Sequence, residues 1–345
     1  MSFIYNLVMS QFFNLNNRRF LGAKTKLLDF IDETINKEFK HDRKYFLDLF
    51  AGTGVVGYRF SNSFTNIYTN DLLVHNYTAL NAFFGSEKID KDLLENEIEK
   101  CNQIKGKENY YSKHFGGNFF SNENAKKIGS IRSYIDSLNV SDRTRDCLLT
   151  SLIYAADKVA NTVGHYDAFR RGSEINNPIE LKIPHVKNWK NKNYVFNSDS
   201  NELVKRISNK RMSITYIDPP YNSRQYSDAY HLLENLVENK EPEVFGEAKK
   251  MDRTHIKSKY SNAKATEEFK DLIENLNTEM IVFSYNNTGK NRDNRSNALI
   301  SDESVHEILK SKGKVKVFEK EFKEFTVGKT TKRDHTERLF VCMVR

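Results

Sequence analysis

Two short segments carry the residues with the most chemistry to offer. In Asp48-Leu49-Phe50-Ala51-Gly52-Thr53-Gly54 an apolar run passes into a glycine-containing turn and then into the helix-like Val55–Phe60. Glycines there let the backbone approach a bound ligand closely, because no Cβ stands in the way. Asp71 closes the next apolar run, where a carboxylate is placed to accept hydrogen bonds from ribose hydroxyls. The spacing is Gly-x-Gly without a third glycine, which favours a phosphate-free nucleoside over a dinucleotide pyrophosphate. The second segment, Asp218-Pro219-Pro220-Tyr221, follows directly on the apolar run Ser213–Ile217. Consecutive prolines donate no ladder hydrogen bonds, so a strand must end there and become a stiff loop with free carbonyls. A carboxylate, a fixed carbonyl and an aromatic ring then lie side by side. That set suits a planar base bearing an amino group: two acceptors take its N–H bonds and the ring stacks on its face. The bland alternatives are an ordinary tight turn at Gly52–Gly54 and a strand-ending turn with a surface tyrosine at Tyr221.

The elements that must position these residues alternate as an α/β sheet domain. Candidate strands are Tyr45–Phe50, Asn66–Asn70, Asn193–Asn197, Ser213–Ile217, Met280–Tyr285, Lys314–Phe322 and Arg338–Val344. The last two have no helix between them and are expected to form an antiparallel hairpin at a sheet edge. Helical patterns fill the other gaps: Ala23–Phe39, Leu72–Phe84, Asn201–Ser208, Tyr226–Val237, Thr266–Leu276 and Asp302–Ser311. The segment 85–192 breaks the rhythm. It far exceeds the dozen or so residues that a crossover needs, and reads as a separate, mainly helical module inserted between residues 1–84 and 193–345. Two further loops are basic. One is 239–265, with Lys249, Lys250, Arg253, Lys257 and Lys259; the other is Lys323–Glu337, with Lys329, Lys332 and Arg333.

Composition narrows the class. The 345 residues are 38% hydrophobic and 29% charged, with 54 Lys and Arg against 46 Asp and Glu. A chain of this length suits a core domain with an insertion, and the positive excess favours a polyanionic partner. Cys101, Cys147 and Cys342 lie far apart with no Cys-x-x-Cys pair, which argues against a disulfide framework and a structural zinc site. The histidines show no metal-ligand spacing, so no metal is expected. No apolar run approaches the ~20 residues that span a bilayer. Arg18-Arg19 follows the moderately apolar start instead of preceding it, the wrong polarity for a signal peptide. A cytoplasmic protein is expected, with no membrane partner.

With these residues in view, Asp48–Gly54 and Asp218–Tyr221 together resemble motifs I and IV of the S-adenosylmethionine-dependent amino-methyltransferases. Arg19–Leu28 resembles motif X of the adenine-specific (N6) DNA enzymes. The order motif X, motif I, insertion, motif IV is similar to their alpha group, in which the insertion is the target-recognition domain. The run Asp218–Leu236 and the later Ile281–Asn286 look like one adenine-specific branch of it. The resemblance implies a class I, Rossmann-like fold with a mostly parallel seven-stranded sheet and an inserted helical target-recognition domain. It implies S-adenosyl-L-methionine as cofactor, double-stranded DNA as partner and, functionally, a cognate restriction endonuclease. Carried onto this chain, Phe20, Gly22 and Lys24 would hold the methionine end of the cofactor. Asp48, Phe50, Gly52 and Gly54 would line its path, Asp71 would bind its ribose, and Asp199 would approach its adenine. Asp218, Pro219, Pro220 and Tyr221 would handle a flipped-out target adenine. Asp199 reads equally as a helix N-cap, and both roles are compatible. The alternative is an RNA enzyme acting on a guanine or adenine amine, since some of these share the Asp-Pro-Pro-aromatic loop.

Overall fold

The computed structural model of the chain describes residues 11–172, 177–286, 298–322 and 335–345. The chain divides into two compact units. One takes the residues up to Ala23, Leu73–Val195 and Ser227–Ile256, and the other takes Lys24–Leu72, Phe196–Tyr226 and Lys257–Arg345.

The second unit is built on the sheet, taking only Phe196 and Asn197 of the strand Tyr194–Asn197. The strands of the sheet are β1 (Tyr45–Asp48), β2 (Asn66–Asp71), β3 (Tyr194–Asn197), β4 (Met212–Ile217), β5 (Thr278–Asn286), β6 (Gly313–Phe322) and β7 (His335–Val344). They lie in the order β3-β2-β1-β4-β5-β7-β6. β1 pairs in parallel with β2 and β4, and β4 with β5. β7 runs antiparallel between β5 and β6. This is a mixed α/β architecture with a mostly parallel sheet, consistent with a class I methyltransferase fold. All seven strands fall within a few residues of their expected positions. For the central strands β1, β2, β4 and β5 the reason is that parallel strands covered on both faces must be apolar throughout; the outer β3 and β6 are only partly buried. In β4 every residue is buried, and Phe46, Leu47, Ile67, Ile281, Val282 and Phe283 join it in the core. The expected terminal hairpin is present. Most of the polar loop Lys323–Glu337, including Lys329, Lys332 and Arg333, lies outside the described residues, and from His335 the chain is already strand.

The strand order reverses direction at β1, which has β2 on one side and β4 on the other. In open α/β sheets such a point leaves a crevice at the carboxyl ends of the strands. Asp48 and Asp71 end β1 and β2, and Asp218 follows β4. Three carboxylates therefore reach the same edge of one sheet.

The first unit is mainly helical. Val74–Phe84 (α3, the third described α-helix after α1, Leu28–Glu38, and α2, Val55–Phe60) is followed by Lys91–Gln103, Tyr110–Phe115, Asn122–Ser137 and Asp142–Val159. Ser121 and Ser141 cap the last two, each accepting from a backbone N–H three residues on. A two-residue parallel pairing of Phe12–Phe13 with Ile183–Pro184 ties in the start of the described chain. All three cysteines are buried and free. No helix among the described residues is long and apolar enough to cross a membrane.

α3 lacks a local cap, because the residue before it is Leu73. A distant carboxylate supplies one. Glu234, on the helix His231–Glu238, accepts from the backbone N–H groups of Val74 and His75 and also meets the His75 ring. Both side chains are sealed from solvent. Burial, reinforced by Arg18, pushes the His75 imidazole down to about 4, so the ring is neutral at physiological pH. The expected single helix Tyr226–Val237 is instead two, Tyr226–Ala229 and His231–Glu238, broken at Tyr230. Tyr230 leaves the helical geometry and stacks on Phe20 at 4.7 Å. Replacing Glu234 with alanine strands two buried N–H groups at a helix start. It is expected to cost about 2–4 kcal/mol in chemical denaturation, whereas Glu234→Gln, which keeps an acceptor, should cost less. Equal stability of Glu234→Ala and wild type would refute the capping role.

Candidate active site

The glycine turn is pinned from both sides. The Leu49 N–H donates to the Tyr216 carbonyl on β4, and the Ala51 N–H donates to the Asn70 carbonyl on β2. Between these anchors the backbone must turn sharply, and Gly52 and Gly54 take φ of 54° and 80°. A Cβ is strongly disfavoured in that left-handed region. Gly54 then leads into α2. Asp48 is buried and accepts from the Gly57 N–H at 2.9 Å, so it fixes the start of that helix. Burial pushes its carboxyl up to about 7; the Gly57 bond opposes this, and Asp218 and Asp71 add to it. Asp71 accepts from the Gly52 N–H at 2.9 Å, which orients its half-exposed carboxylate beside the turn. Phe50 packs edge-on against Tyr260 at 5.1 Å. Asp199 caps the helix Ser200–Arg206, with one oxygen accepting from Asn201 and Glu202.

Asp218 emerges from β4 into the Pro-Pro loop with its side chain 17% exposed. Its Oδ1 lies 2.9 Å from Lys24 Nζ, and Lys24 also lies 3.5 Å from Glu337 Oε1. Glu337, on β7, accepts from the Ser284 hydroxyl of β5 at 2.7 Å. Lys24 sits in a 3-10 turn, Lys24–Leu27, that precedes the helix Leu28–Glu38. Burial alone would lower the Lys24 ammonium, but the Asp218 and Glu337 carboxylates reverse that and carry it well above its ordinary value. The Asp218 carboxyl is pushed up to about 6, by burial first; Lys24 draws it down and Glu337 pushes it up. The buried Tyr216 phenol is raised as well, by burial and then by Asp218.

The loop after Asp218 is held by its backbone. The Tyr221 carbonyl accepts from the Leu299 N–H at 3.0 Å and from the Tyr285 hydroxyl at 3.3 Å. The Tyr285 hydroxyl in turn accepts from the Ile300 N–H, and the Tyr221 ring meets the Tyr285 ring edge-on. Pro219 is buried and Pro220 is half-buried.

Of the residues singled out in the sequence, Lys24, Asp48, Phe50, Gly52, Gly54, Asp71, Asp199 and Asp218–Tyr221 belong to the sheet unit. Lys24, read as a cofactor ligand, is placed against Asp218. Phe20 and Gly22 belong to the other unit. There Phe20 is stacked on Tyr230 under the Arg18 guanidinium, and the Leu21 N–H donates to the Tyr230 hydroxyl at 2.8 Å. Sequence reasoning gave no site role to Glu337, Ser284 or Tyr285. Ser284 and Tyr285 fall within Ile281–Asn286, a run noted for its strand pattern and its resemblance, and Glu337 stood at the end of a polar loop, so nothing placed these side chains beside Asp218. In the loop 239–265, Lys250 pairs with Asp167, Arg253 with Asp228, and Lys259 lies 3.6 Å from Glu268.

Comparison with known proteins bears on this geometry. Residues 20–318 match the model of the D12 class N6 adenine-specific DNA methyltransferase family. The modification methylase StsI of Streptococcus sanguinis is 36% identical over 312 residues, covering 85% of this chain and 46% of that protein. The type II methyltransferase M.NlaIII of Neisseria lactamica is 31% identical over 332 residues, covering 92% of this chain and 95% of that protein. The type II methyltransferase M.FokI of Planomicrobium okeanokoites is 31% identical over 317 residues, 86% of this chain and 47% of that protein. The chain thus spans about half the length of two of these relatives and nearly all of the third. The RNA-directed alternative has no support among them. The chain belongs to the D12 class of N6 adenine-specific DNA methyltransferases.

Proposed function

We propose that this DNA adenine methyltransferase acts at a specific duplex site, through Asp218, Pro219, Pro220 and Tyr221, on the N6 amine of an adenine turned out of the stack. The observation that carries the reading is the placement of Asp218. It stands at the carboxyl end of β4 beside the switch point of the sheet, and Lys24 engages one of its oxygens. An adenine amine is a poor nucleophile because its lone pair is delocalised into the ring. Hydrogen bonds from its two N–H groups to Asp218 and the Pro219 carbonyl favour a more tetrahedral nitrogen. Positioning and electrostatics then do the catalysis, with no covalent enzyme intermediate. The bonds from Tyr285 and Leu299 to the Tyr221 carbonyl hold the loop that presents Tyr221 as a stacking platform.

The residues of the glycine turn fit an adenosyl group. The left-handed Gly52 and Gly54 remove side chains from the turn, and the Asp71 carboxylate is already oriented beside it by the Gly52 N–H. S-adenosyl-L-methionine, when bound, supplies an electrophilic methyl group. Asp71 would take its ribose hydroxyls and Phe50 would line the path. Asp199 would approach the adenine ring while still capping its helix. The chain order supports the alpha group, with the Phe20–Lys24 segment first and residues 85–192 between the two motifs. Selection of the DNA sequence falls to residues 85–192, because the chemical residues serve any sequence alike. The relatives' names support a role in modification, with a cognate restriction endonuclease as functional partner.

Asp218→Ala is expected to lower the single-turnover rate by about a hundred- to a thousandfold while leaving cofactor affinity within a few-fold. Wild-type turnover would end the mechanism. The ionised carboxylate is the acceptor, so the rate should fall as pH drops through about 6. Asp71→Ala should instead weaken cofactor binding by ~1.5–3 kcal/mol in calorimetry; unchanged affinity would remove Asp71 from the site.

Duplex affinity should fall with salt, each phosphate contact adding about one unit to the slope. Alanine at Lys249, Lys250, Lys257 and Lys259 together should flatten that slope by about two units instead of four, because Lys250 and Lys259 already face Asp167 and Glu268. A slope identical to wild type would show that the loop does not touch DNA.

A further inference from the structure

The carboxylate on β7 has no place in the mechanism so far, yet it shares a buried cation with Asp218. We propose that Glu337 is a positioning residue: by holding Lys24 between two carboxylates it sets how strongly Asp218 accepts from the target amine. The proposal rests on the reading of Asp218 given above. Three observations carry it. Glu337 is 6% exposed, and an ionisable group is rarely taken out of water without partners. Its Oε1 is aimed by the Ser284 hydroxyl at 2.7 Å and stands 3.5 Å from Lys24 Nζ. The Lys24 ammonium is 2.9 Å from Asp218 on its other contact. A lysine paired with Asp218 alone would bind that carboxylate at full strength and compete with the incoming N–H. A lysine divided between two anions still anchors Asp218 but leaves it a better acceptor.

The charge balance runs the same way. Lys24 contributes one positive charge, and Asp218 and Glu337 contribute two negative ones when ionised. The surplus anion lies where the amine nitrogen gains positive charge as it forms a fourth bond. In low dielectric such fixed charge acts strongly on the transition state. The titratable groups facing Asp218 come from four elements: Lys24 from the 3-10 turn, Glu337 from β7, Tyr216 from β4 and Asp48 from β1. Among these Lys24 lowers the Asp218 carboxyl and Glu337 raises it. Removing the Glu337 charge therefore moves Asp218 down in pKa and makes it a weaker acceptor.

The test is the pH dependence of single-turnover methylation with the full-length protein, duplex DNA and saturating cofactor. In Glu337→Gln the acidic limb should move down by about half to one pH unit, and the plateau rate should fall several-fold with cofactor and DNA affinities unchanged. Glu337→Asp keeps the charge but sets it farther from Lys24, so its limb should lie between the two. It keeps the test open if the glutamine variant does not fold. A limb at the wild-type position in either variant, whatever happens to the plateau, would overturn the proposal. Asp218→Ala separates the two claims. Turnover in that variant defeats the underlying reading, while lost turnover with an unmoved limb in the Glu337 variants defeats this inference alone.

Discussion

Lys24 carries a full positive charge into a place where almost no water reaches it, and Asp218 and Glu337 hold it there. Stripping an ammonium of its hydration costs several kcal/mol, and its attraction to nearby carboxylates repays that only in good geometry. Here the geometry draws on distant parts of the chain. Lys24 comes from the turn before the first described helix, Asp218 from the end of β4, and Glu337 from the last strand. Leaving any one of these charges unpaired in the interior costs ~3–5 kcal/mol. In the observed strand order β7 lies antiparallel beside β5, and this brings Glu337 to Ser284 and Lys24.

Around this ion triad the sheet brings polar chemistry to one edge while its interior stays apolar. β1, β2 and β4 are buried runs that each finish in, or hand over to, an aspartate. The three aspartates differ because their partners differ. Asp48 faces a helix start and is driven toward the neutral form by burial. Asp71 stays half-exposed and is oriented by the Gly52 N–H. Asp218 has a cation. One carboxylate thus fixes a helix start, one is held beside the glycine turn, and one is paired with a buried ammonium.

The centre of the sheet was legible because double-sided burial writes itself into apolar runs bounded by turn residues, while the partly exposed β3 and β6 carried only shorter or alternating patterns. The Gly-x-Gly turn and the Asp-Pro-Pro-Tyr loop were legible for a similar reason, since local backbone geometry demands those residue types. The contacts between these segments were not. The resemblance of Arg19–Leu28 to motif X assigned Lys24 to the cofactor; its pairing with Asp218, which the sheet sets, could not be read from the sequence. Ser284 is an ordinary residue in a strand pattern and Glu337 closes the polar loop Lys323–Glu337, and only the pairing of β5 with β7 makes them neighbours of the site. Glu234 caps a helix 160 residues upstream of it, so no local cap signal existed to read. Tyr230 interrupts a helical pattern that was intact in sequence; it leaves the helical geometry and stacks on Phe20, a residue 210 positions away that no local pattern could reveal.

The central claim is that Asp218 remains a poised acceptor because its burial is balanced against a shared lysine. The most direct measurement is the titration of its carboxyl by carbon-13 NMR or difference infrared spectroscopy, with Asp218→Asn used to assign the signal. The account predicts a midpoint near 6 in the wild-type protein, rising in Lys24→Met as the balancing cation is lost. A midpoint at the ordinary aspartate value of 3.8, unmoved by the loss of Lys24, would contradict it.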